Sequence, residues 1–197
     1  MDKTPRGLFT AMVVAILDVR NRTLCIANGG QLAPLLRRHG EIRRIEVQGP
    51  RFPAGVRRHV RYDDLTIALE PDDLVLFCTD GVTEAMNAQQ EEFGDARLDA
   101  LAISANGASA REIVGRIVDH VQQFAGAAGY HDDITVVAVR SMCKRDGRSS
   151  PRHTLIVREM PTRCSLRFTP GPGRTHALRP ERGRTIAPSL IRTPTMT

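Results

Sequence analysis

The chain has 197 residues, of which 41% are hydrophobic, and a formal net charge of +6. This composition allows one well-packed domain, but residues 1–140 carry a net charge of −3 and residues 141–197 one of +9. No stretch approaches the ~20 consecutive apolar residues of a membrane-spanning helix, so we predict no membrane span within these residues.

Seven apolar runs of strand length lie along the chain. The first four pair into two predicted hairpins, one with a polar turn and one with a turn at His39-Gly40. Glycine and proline residues over 49–63 predict a loop after the second hairpin. The runs cover residues 9–18, 23–28, 33–38, 41–47, 65–69, 74–79 and 134–139.

Helical patterns occur late in the chain. Apolar residues at three- and four-residue steps predict a helix over 110–124, begun by Ser109 and Glu112 as a capping box. A shorter helix is predicted over 96–104, and residues 81–87 have room for one or two turns. The predicted elements come in the order strands, neighbouring helices and a last strand. This order indicates an α+β fold, with the helices on one face of a largely antiparallel sheet.

Residues 141–197 have a different composition from the rest. They contain seven prolines, repeated arginines and no apolar run longer than Leu155-Ile156-Val157. Because such a segment buries too little surface to offset its ordering entropy, we predict a basic disordered tail there and a single domain over 1–140. The tail has one aromatic residue, Phe168, and no helical stripe, so specific nucleic-acid recognition is not expected.

The cysteines and the N-terminus bear on the cellular compartment. The cysteines lie far apart with no C-x-x-C pair, which predicts reduced thiols in a cytoplasmic protein rather than a zinc site or a disulfide framework. They are Cys25, Cys78, Cys143 and Cys164. The apolar stretch at 8–17 loosely imitates a signal peptide, but charged residues follow it at once and no small-x-small cleavage site closes it, which disfavours export.

Acidic residues stand at the ends of two predicted strands. Asp80 follows the run that ends at Thr79, and Asp132-Asp133 directly precede the run that begins at Ile134. If these strands are antiparallel neighbours, the carboxylates lie at the same edge of the sheet, where they offer the oxygen ligands that hard divalent cations prefer. Simpler interpretations are that Asp80 is a helix N-cap and that Asp132-Asp133 form a solvated turn.

Seven short motifs follow one another over about residues 8–140. They are Phe9-Thr10-Ala11-Met12-Val13-Val14, Ala27-Asn28-Gly29-Gly30, Phe52-Pro53-Ala54-Gly55-Val56, Leu69-Glu70-Pro71-Asp72-Asp73, Thr79-Asp80-Gly81-Val82-Thr83-Glu84, Glu91-Glu92-Phe93-Gly94 and Asp132-Asp133-Ile134-Thr135-Val136. In these motifs and their order the sequence resembles the PPM-type (type 2C) metal-dependent serine/threonine protein phosphatases. The resemblance is to the bacterial branch typified by the stage II sporulation protein E and sigma-factor regulatory phosphatases.

This resemblance implies a β-sandwich flanked by helices, with two Mn²⁺ or Mg²⁺ ions at one end. It implies that Asp80 and Asp132 are metal ligands, that Asp133 is a further candidate, and that Gly81 lets the backbone approach the ions. The implied reaction is attack of a metal-activated water on phosphoserine or phosphothreonine, without a protein nucleophile. The implied partner is a phosphorylated regulatory protein such as an anti-sigma-factor antagonist.

The sequence also departs from the family pattern. The G-D-x-x-D and D-x-x-G-K/H-G segments that precede the strand at 8–18 in family members are absent, and the N-A-G-H motif reads Asn28-Gly29-Gly30-Gln31. We therefore expect a domain that is incomplete at its N-terminus. We also expect impaired phosphatase activity, because two carboxylates cannot hold two dications rigidly. The alternative is a catalytically inactive remnant or a binding-only module that needs an N-terminal partner.

Overall fold

A computed structural model describes residues 9–126, 129 and 132–142 of the protein, together with the strand path of 153–160. This part of the chain contains strands first, then helices, then strands again, as the α+β expectation requires. The elements are β1 (Met12–Asp18), β2 (Thr23–Gly29), β3 (Leu35–Arg38), β4 (Glu41–Arg44), β5 (Asp64–Ala68), β6 (Leu74–Cys78), α1 (Asp80–Thr83), α2 (Gly94–Ser104), α3 (Ala110–Ala125), β7 (Ile134–Ser141) and β8 (His153–Met160).

The described strands form two antiparallel sheets. One has three strands in the order β1-β2-β5, and the other has five in the order β4-β3-β6-β7-β8. Both predicted hairpins are confirmed, since Met12 of β1 lies opposite Gly29 of β2 and Leu35 of β3 lies opposite Arg44 of β4. The pairing of β6 with β7 joins segments more than 50 residues apart in the sequence, with Cys78 opposite Val136.

The five-stranded sheet is the middle of three layers. Side chains alternate across its strands, so Leu74 and Leu76 of β6 join a core cluster with the buried face of α3, whereas Val75 joins a second cluster with Leu24 and Ile26 of β2. One face of this sheet therefore carries the helices, and its other face packs on the three-stranded sheet. The expected β-sandwich with flanking helices is confirmed.

Helix α3 begins with the predicted capping box. The backbone N–H of Glu112 donates to Ser109 Oγ at 3.3 Å, and the backbone N–H of Ser109 donates to Glu112 Oε2 at 2.7 Å. These bonds satisfy amides that have no partner within the helix, and the bond donated by the Ser109 backbone N–H lowers the pKa of the Glu112 carboxyl. The start of the helix is therefore determined by residues three positions apart in the sequence.

One strand lies within the segment that the sequence predicts as a disordered tail. β8 pairs antiparallel with β7 over its whole length, from Ile134 opposite Met160 to Ser141 opposite His153. Its order comes from backbone hydrogen bonding to an available strand edge, which composition does not reveal. Apart from β8 and residues 141 and 142, the segment 141–197 lies outside the described residues. The disordered tail and the domain boundary at residue 140 stay predictions.

The two cysteines in the described part of the chain, Cys25 and Cys78, carry free thiols. Burial raises the pKa of Cys78 to about 12, so this thiol is a poor nucleophile at neutral pH. Cys143 and Cys164 lie outside the described residues. Across the described helices, none has the length and apolar character that crossing a bilayer requires.

Arg37 of β3 is a buried cation with few partners. Its side chain donates from Nη2 to Asn106 Oδ1 at 2.9 Å, whereas Nε and Nη1 have no partner among the described residues. The residue is 3% exposed, and burial, aided by the neighbouring Arg140, lowers the pKa of its guanidinium. The Arg37 guanidinium is therefore a buried charge, and its one hydrogen bond does not offset the cost of its desolvation.

Replacing Arg37 by methionine is expected to leave stability unchanged or to raise it by about 1 kcal/mol, because a similar volume is filled without a buried charge. Urea unfolding followed by circular dichroism measures the change. The matched variant Arg140→Met should lose stability, since Arg140 donates to the Ala105 carbonyl at 3.2 Å and to Asp72 at 3.3 Å. A clear loss of stability in Arg37→Met would show that Nε and Nη1 of Arg37 have hydrogen-bond partners in solution.

Candidate metal centre

The acidic residues singled out in the sequence lie at one end of the β6/β7 pair. β6 ends at Cys78 and β7 begins at Ile134, and the two strands are antiparallel. The pairing continues past Cys78, because the backbone N–H of Thr79 donates to the Thr135 carbonyl at 3.1 Å. The structure therefore brings Asp80 and Asp132 to the same rim of the sheet.

Thr79 is a residue whose role the sequence analysis did not identify. Its hydroxyl donates to the Asp133 carbonyl at 2.8 Å and accepts from the Thr135 backbone N–H at 2.9 Å. One side chain thus bonds to both sides of the turn into β7. The signal available in the sequence was its place in the Thr79-Asp80-Gly81 triplet, next to an acidic residue.

Gly81 touches the other half of the site directly. A Cβ at this position would lie 2.6 Å from the Asp133 carbonyl oxygen and 3.3 Å from the Asp132 carbonyl carbon. The neighbour in both cases is backbone, which cannot rotate away. The close approach seen here is therefore to the Asp132-Asp133 backbone, whereas the predicted approach of Gly81 to an ion stays a prediction.

The side chains of the two candidate ligands differ in exposure. Asp80 is half-buried, and its Oδ1 accepts from the Gly81 backbone N–H at 3.1 Å. Asp132 is exposed, and its Oδ1 accepts from the Asp133 backbone N–H at 2.7 Å. The N-cap of α1 is Thr79, without a side-chain capping bond, so the simpler interpretation of Asp80 as an N-cap is not what the structure shows.

A cavity of about 340 Å³ opens at this rim. Asp132 and Gly81 line it together with two exposed acidic residues, Glu84 and Glu92. Both glutamates belong to motifs seen in the sequence, but no pattern in the sequence indicated that they line this cavity. Across the described ranges, no three metal-binding side chains lie close enough to share one ion.

The two candidate ligands, Asp80 and Asp132, form a small donor set for the expected cations. Two carboxylates fit one Mg²⁺ or Mn²⁺ ion that keeps several waters, because such ions commonly bind proteins through one or two carboxylates. The same two groups do not fit a rigidly held pair of ions. Asp80 and Asp132 as metal ligands therefore stay a prediction, and as a donor pair they suit one hydrated cation rather than two.

Comparison with known proteins shows the family to which most of the chain is similar. The family model for the stage II sporulation protein E (SpoIIE) matches residues 1–141. Protein IcfG from Synechocystis sp. is 26% identical over 134 residues, which are 68% of this chain and 21% of that protein. The chain thus spans about a fifth of the curated relative.

Solved structures show the same fold. The phosphatase domain of SpoIIE from Bacillus subtilis aligns with a TM-score of 0.53 and 18% identity over 69% of this chain and 60% of that one. The RsbU and RsbW domains of Rv1364c from Mycobacterium tuberculosis align with a TM-score of 0.54 and 26% identity over 69% of this chain and 38% of that one. The SiaA-PP2C domain of Pseudomonas aeruginosa aligns with a TM-score of 0.57 and 20% identity over 66% of this chain and 51% of that one. In each case part of the compared chain has no counterpart here.

Proposed function

The chain belongs to the stage II sporulation protein E branch of the PPM-type protein phosphatases, and we propose that its folded part hydrolyses phosphoserine or phosphothreonine in a regulatory protein. The observation that carries this proposal is the junction between β6 and β7. There Thr79 bonds to both the Asp133 carbonyl and the Thr135 amide, at the rim where β6 leads into Asp80 and where Asp132 precedes β7. Rigid strand ends are suitable supports for metal ligands.

The chain's own residues have distinct roles in this proposal. Asp80 and Asp132 would bind a divalent cation, which supplies an acidified water and positive charge against the phosphate. Thr79 would hold the turn before β7 through its bond to the Asp133 carbonyl, and Gly81 permits the contact between the two halves of the site. The high pKa of Cys78 argues against a thiolate nucleophile beside the site and agrees with attack by water.

The activity proposed for this chain alone is low. Two carboxylates suit one ion, whereas the family resemblance implies two. We propose Mn²⁺ or Mg²⁺ as the cation, and a phosphorylated regulator of the anti-sigma-factor antagonist kind as the substrate. Asp133 as a third ligand and a cytoplasmic location stay predictions.

Asp80→Asn is expected to abolish Mn²⁺-dependent hydrolysis of a phosphoserine peptide. Mutating a residue that only hydrogen-bonds to a metal ligand typically lowers metal affinity or activity by about 10–100-fold, and we expect a larger loss when the ligand itself is replaced. Calorimetric titration with Mn²⁺ gives a second readout, in which the variant should bind more weakly. Asp119→Asn, on the exposed face of α3, is the control and should match the unaltered chain.

A binding-only module is the second candidate, and the small donor set favours it. If the unaltered chain binds Mn²⁺ and a phosphorylated regulator but shows no turnover, the domain would recognise the phosphate without cleaving it. Adding the N-terminal half of a related phosphatase domain tests whether further metal ligands produce turnover. Activity of the unaltered chain with Mn²⁺ alone would exclude this second candidate.

A further inference from the structure

The connection between β4 and β5 carries positive charge that the proposed function does not use. Over residues 49–63 it has four arginines and one aspartate, whereas residues 1–140 carry a net charge of −3. All four arginines are exposed to solvent. We call residues 49–63 the arginine loop, and its arginines are Arg51, Arg57, Arg58 and Arg61.

The arginine loop is held in place by several contacts. The Tyr62 hydroxyl donates to the Phe52 carbonyl at 2.7 Å, and Thr10 and Ala54 exchange two backbone hydrogen bonds of 2.8 Å. The Arg57 guanidinium lies 4.9 Å from the centre of the Phe52 ring. Because the loop is already ordered, a ligand that binds its arginines loses less free energy to ordering them.

The strand pairings place the arginine loop at the end of the sandwich that carries the candidate metal centre. The loop leads into β5, whose first residue, Asp64, pairs with Ala27 near the end of β2. After β2 the chain enters β3, where Leu35 pairs with Leu76 near the end of β6. β6 then leads into Asp80. The loop and Asp80 therefore lie at the same end of the two sheets.

Packed residues connect the arginine loop to Asp80. A Cβ at Gly30 would lie 2.7 Å from the ring of Pro53, so the β2–β3 connection touches the loop. Further along this connection, Leu32 lines a cavity of about 160 Å³ together with Thr83 of α1. The Thr83 hydroxyl donates to the Asp80 carbonyl at 3.2 Å. The loop is therefore joined to the site through a short series of contacts.

Charge is distributed unevenly around the candidate metal centre. Glu84 and Glu92 lie on the helix side, since their neighbours Ala85 and Phe93 belong to the core cluster beneath the helices. The arginine loop lies toward the three-stranded sheet, because it leads into β5. The candidate metal centre lies between them, at the end of the middle sheet. Its surroundings are thus negative on one side and positive on the other.

We propose that the arginine loop selects the substrate, by binding acidic side chains on one side of its phosphoserine or phosphothreonine. This inference rests on the proposed function, because it names the class of phosphoprotein on which that reaction would act. The planar guanidinium of arginine matches the geometry of a carboxylate and remains charged at any physiological pH. The glutamates on the helix side repel the same acidic residues, so the preferred substrate is acidic on one side only.

Three phosphoserine peptides of equal length test this preference. One has glutamates before the phosphoserine, one has them after it, and the third has glutamines on both sides. One of the two acidic peptides should bind about tenfold more tightly than the neutral one in fluorescence anisotropy, since each exposed ion pair contributes up to about fivefold. Added salt should reduce this preference, because it screens exposed charges. If neither acidic peptide binds more tightly than the neutral one, or if none binds measurably, the proposal is wrong.

A triple variant, Arg57→Gln with Arg58→Gln and Arg61→Gln, tests the role of the loop. All three positions are exposed, so the variant should fold, which circular dichroism checks. It should bind the preferred acidic peptide no more tightly than the neutral one. A preference that persists at its original size in this variant would overturn the proposal.

The charge-matched control replaces three exposed arginines at the opposite end of the sandwich by glutamine. Arg20 and Arg22 lie in the turn that joins β1 to β2, and Arg111 lies in the first turn of α3. This variant loses the same net charge as the loop variant but should keep the preference. An equal loss in both variants would show that net charge alone attracts the peptide, which would overturn the role of the arginine loop.

Turnover of the same peptides with Mn²⁺ separates this proposal from the proposed function. If the loop-dependent preference is observed without hydrolysis, the proposed function fails and the docking surface is supported. If all three peptides are bound and hydrolysed alike, the proposed function is supported and the docking surface fails. Single-stranded DNA is a further probe, since arginines also attract nucleic acids. Tighter binding of DNA than of the acidic peptide, lost in the loop variant, would overturn the assignment to a phosphoprotein.

Discussion

Gly81→Ala is expected to destabilise the protein by about 1–3 kcal/mol, with a value near the upper limit. The added Cβ would meet the Asp133 carbonyl oxygen at 2.6 Å, and that oxygen also accepts the Thr79 hydroxyl bond of 2.8 Å. Relieving the clash moves the backbone before β7 and weakens this bond. Since whole domains are stable by about 5–15 kcal/mol, the loss is large.

Urea unfolding followed by circular dichroism measures this change, and Gly115→Ala is its control. Gly115 lies within α3, where an added Cβ meets nothing within 4 Å. Because alanine favours the helix over glycine, Gly115→Ala should stabilise by about 0.5–1 kcal/mol. Opposite signs for the two variants are the expected result. If both variants change the stability equally, the backbone around residue 81 relieves the 2.6 Å contact with the Asp133 carbonyl oxygen without a loss of stability.

Asp73→Asn is expected to destabilise the protein by about 3 kcal/mol, the lower limit for breaking a buried ion pair. Asp73 is 1% exposed, and its carboxylate accepts from Arg38 Nε at 3.0 Å, from Arg38 Nη2 at 2.6 Å and from the Glu70 backbone N–H at 2.7 Å. The amide keeps the shape but loses the charge, and its NH₂ group faces donors. The value lies at the lower limit because Arg38 keeps Glu70 as a partner at 2.7 Å.

Thermal and urea unfolding of Asp73→Asn and Glu70→Gln separate the two partners of Arg38. The Glu70 side chain is 43% exposed, so its removal should cost less than about 1 kcal/mol. The carboxylate of Asp73 also holds the pKa of Arg38 above its usual range. If Asp73→Asn lowers stability as little as Glu70→Gln does, the buried pair of Asp73 and Arg38 does not stabilise the start of β6.

Much of the local structure was predictable because it depends on residues close together in the sequence. The capping box at Ser109 and Glu112 needs only a spacing of three residues and the apolar period that follows it. The hairpin of β1 and β2 likewise follows from two apolar runs and a polar turn. Interactions of this kind are short in range and vary little with the surrounding fold.

The candidate site was predictable in part. The acidic residues at two strand ends indicated Asp80 and Asp132 as a pair, and the structure places both at one rim. The bonds of Thr79 were not predicted, because a threonine beside an aspartate is also typical of an ordinary helix start. Whether the pair binds metal stays a prediction.

The sequence by itself determined the element types and the family motifs, since both depend on residue identity and local spacing. Only the tertiary structure decided that β8 joins β7, that Arg37 is buried with unpaired nitrogens, and that Gly81 faces the Asp133 carbonyl. The reason is physical. These contacts join segments that are far apart along the chain, and their energies depend on the distances that the packed layers impose.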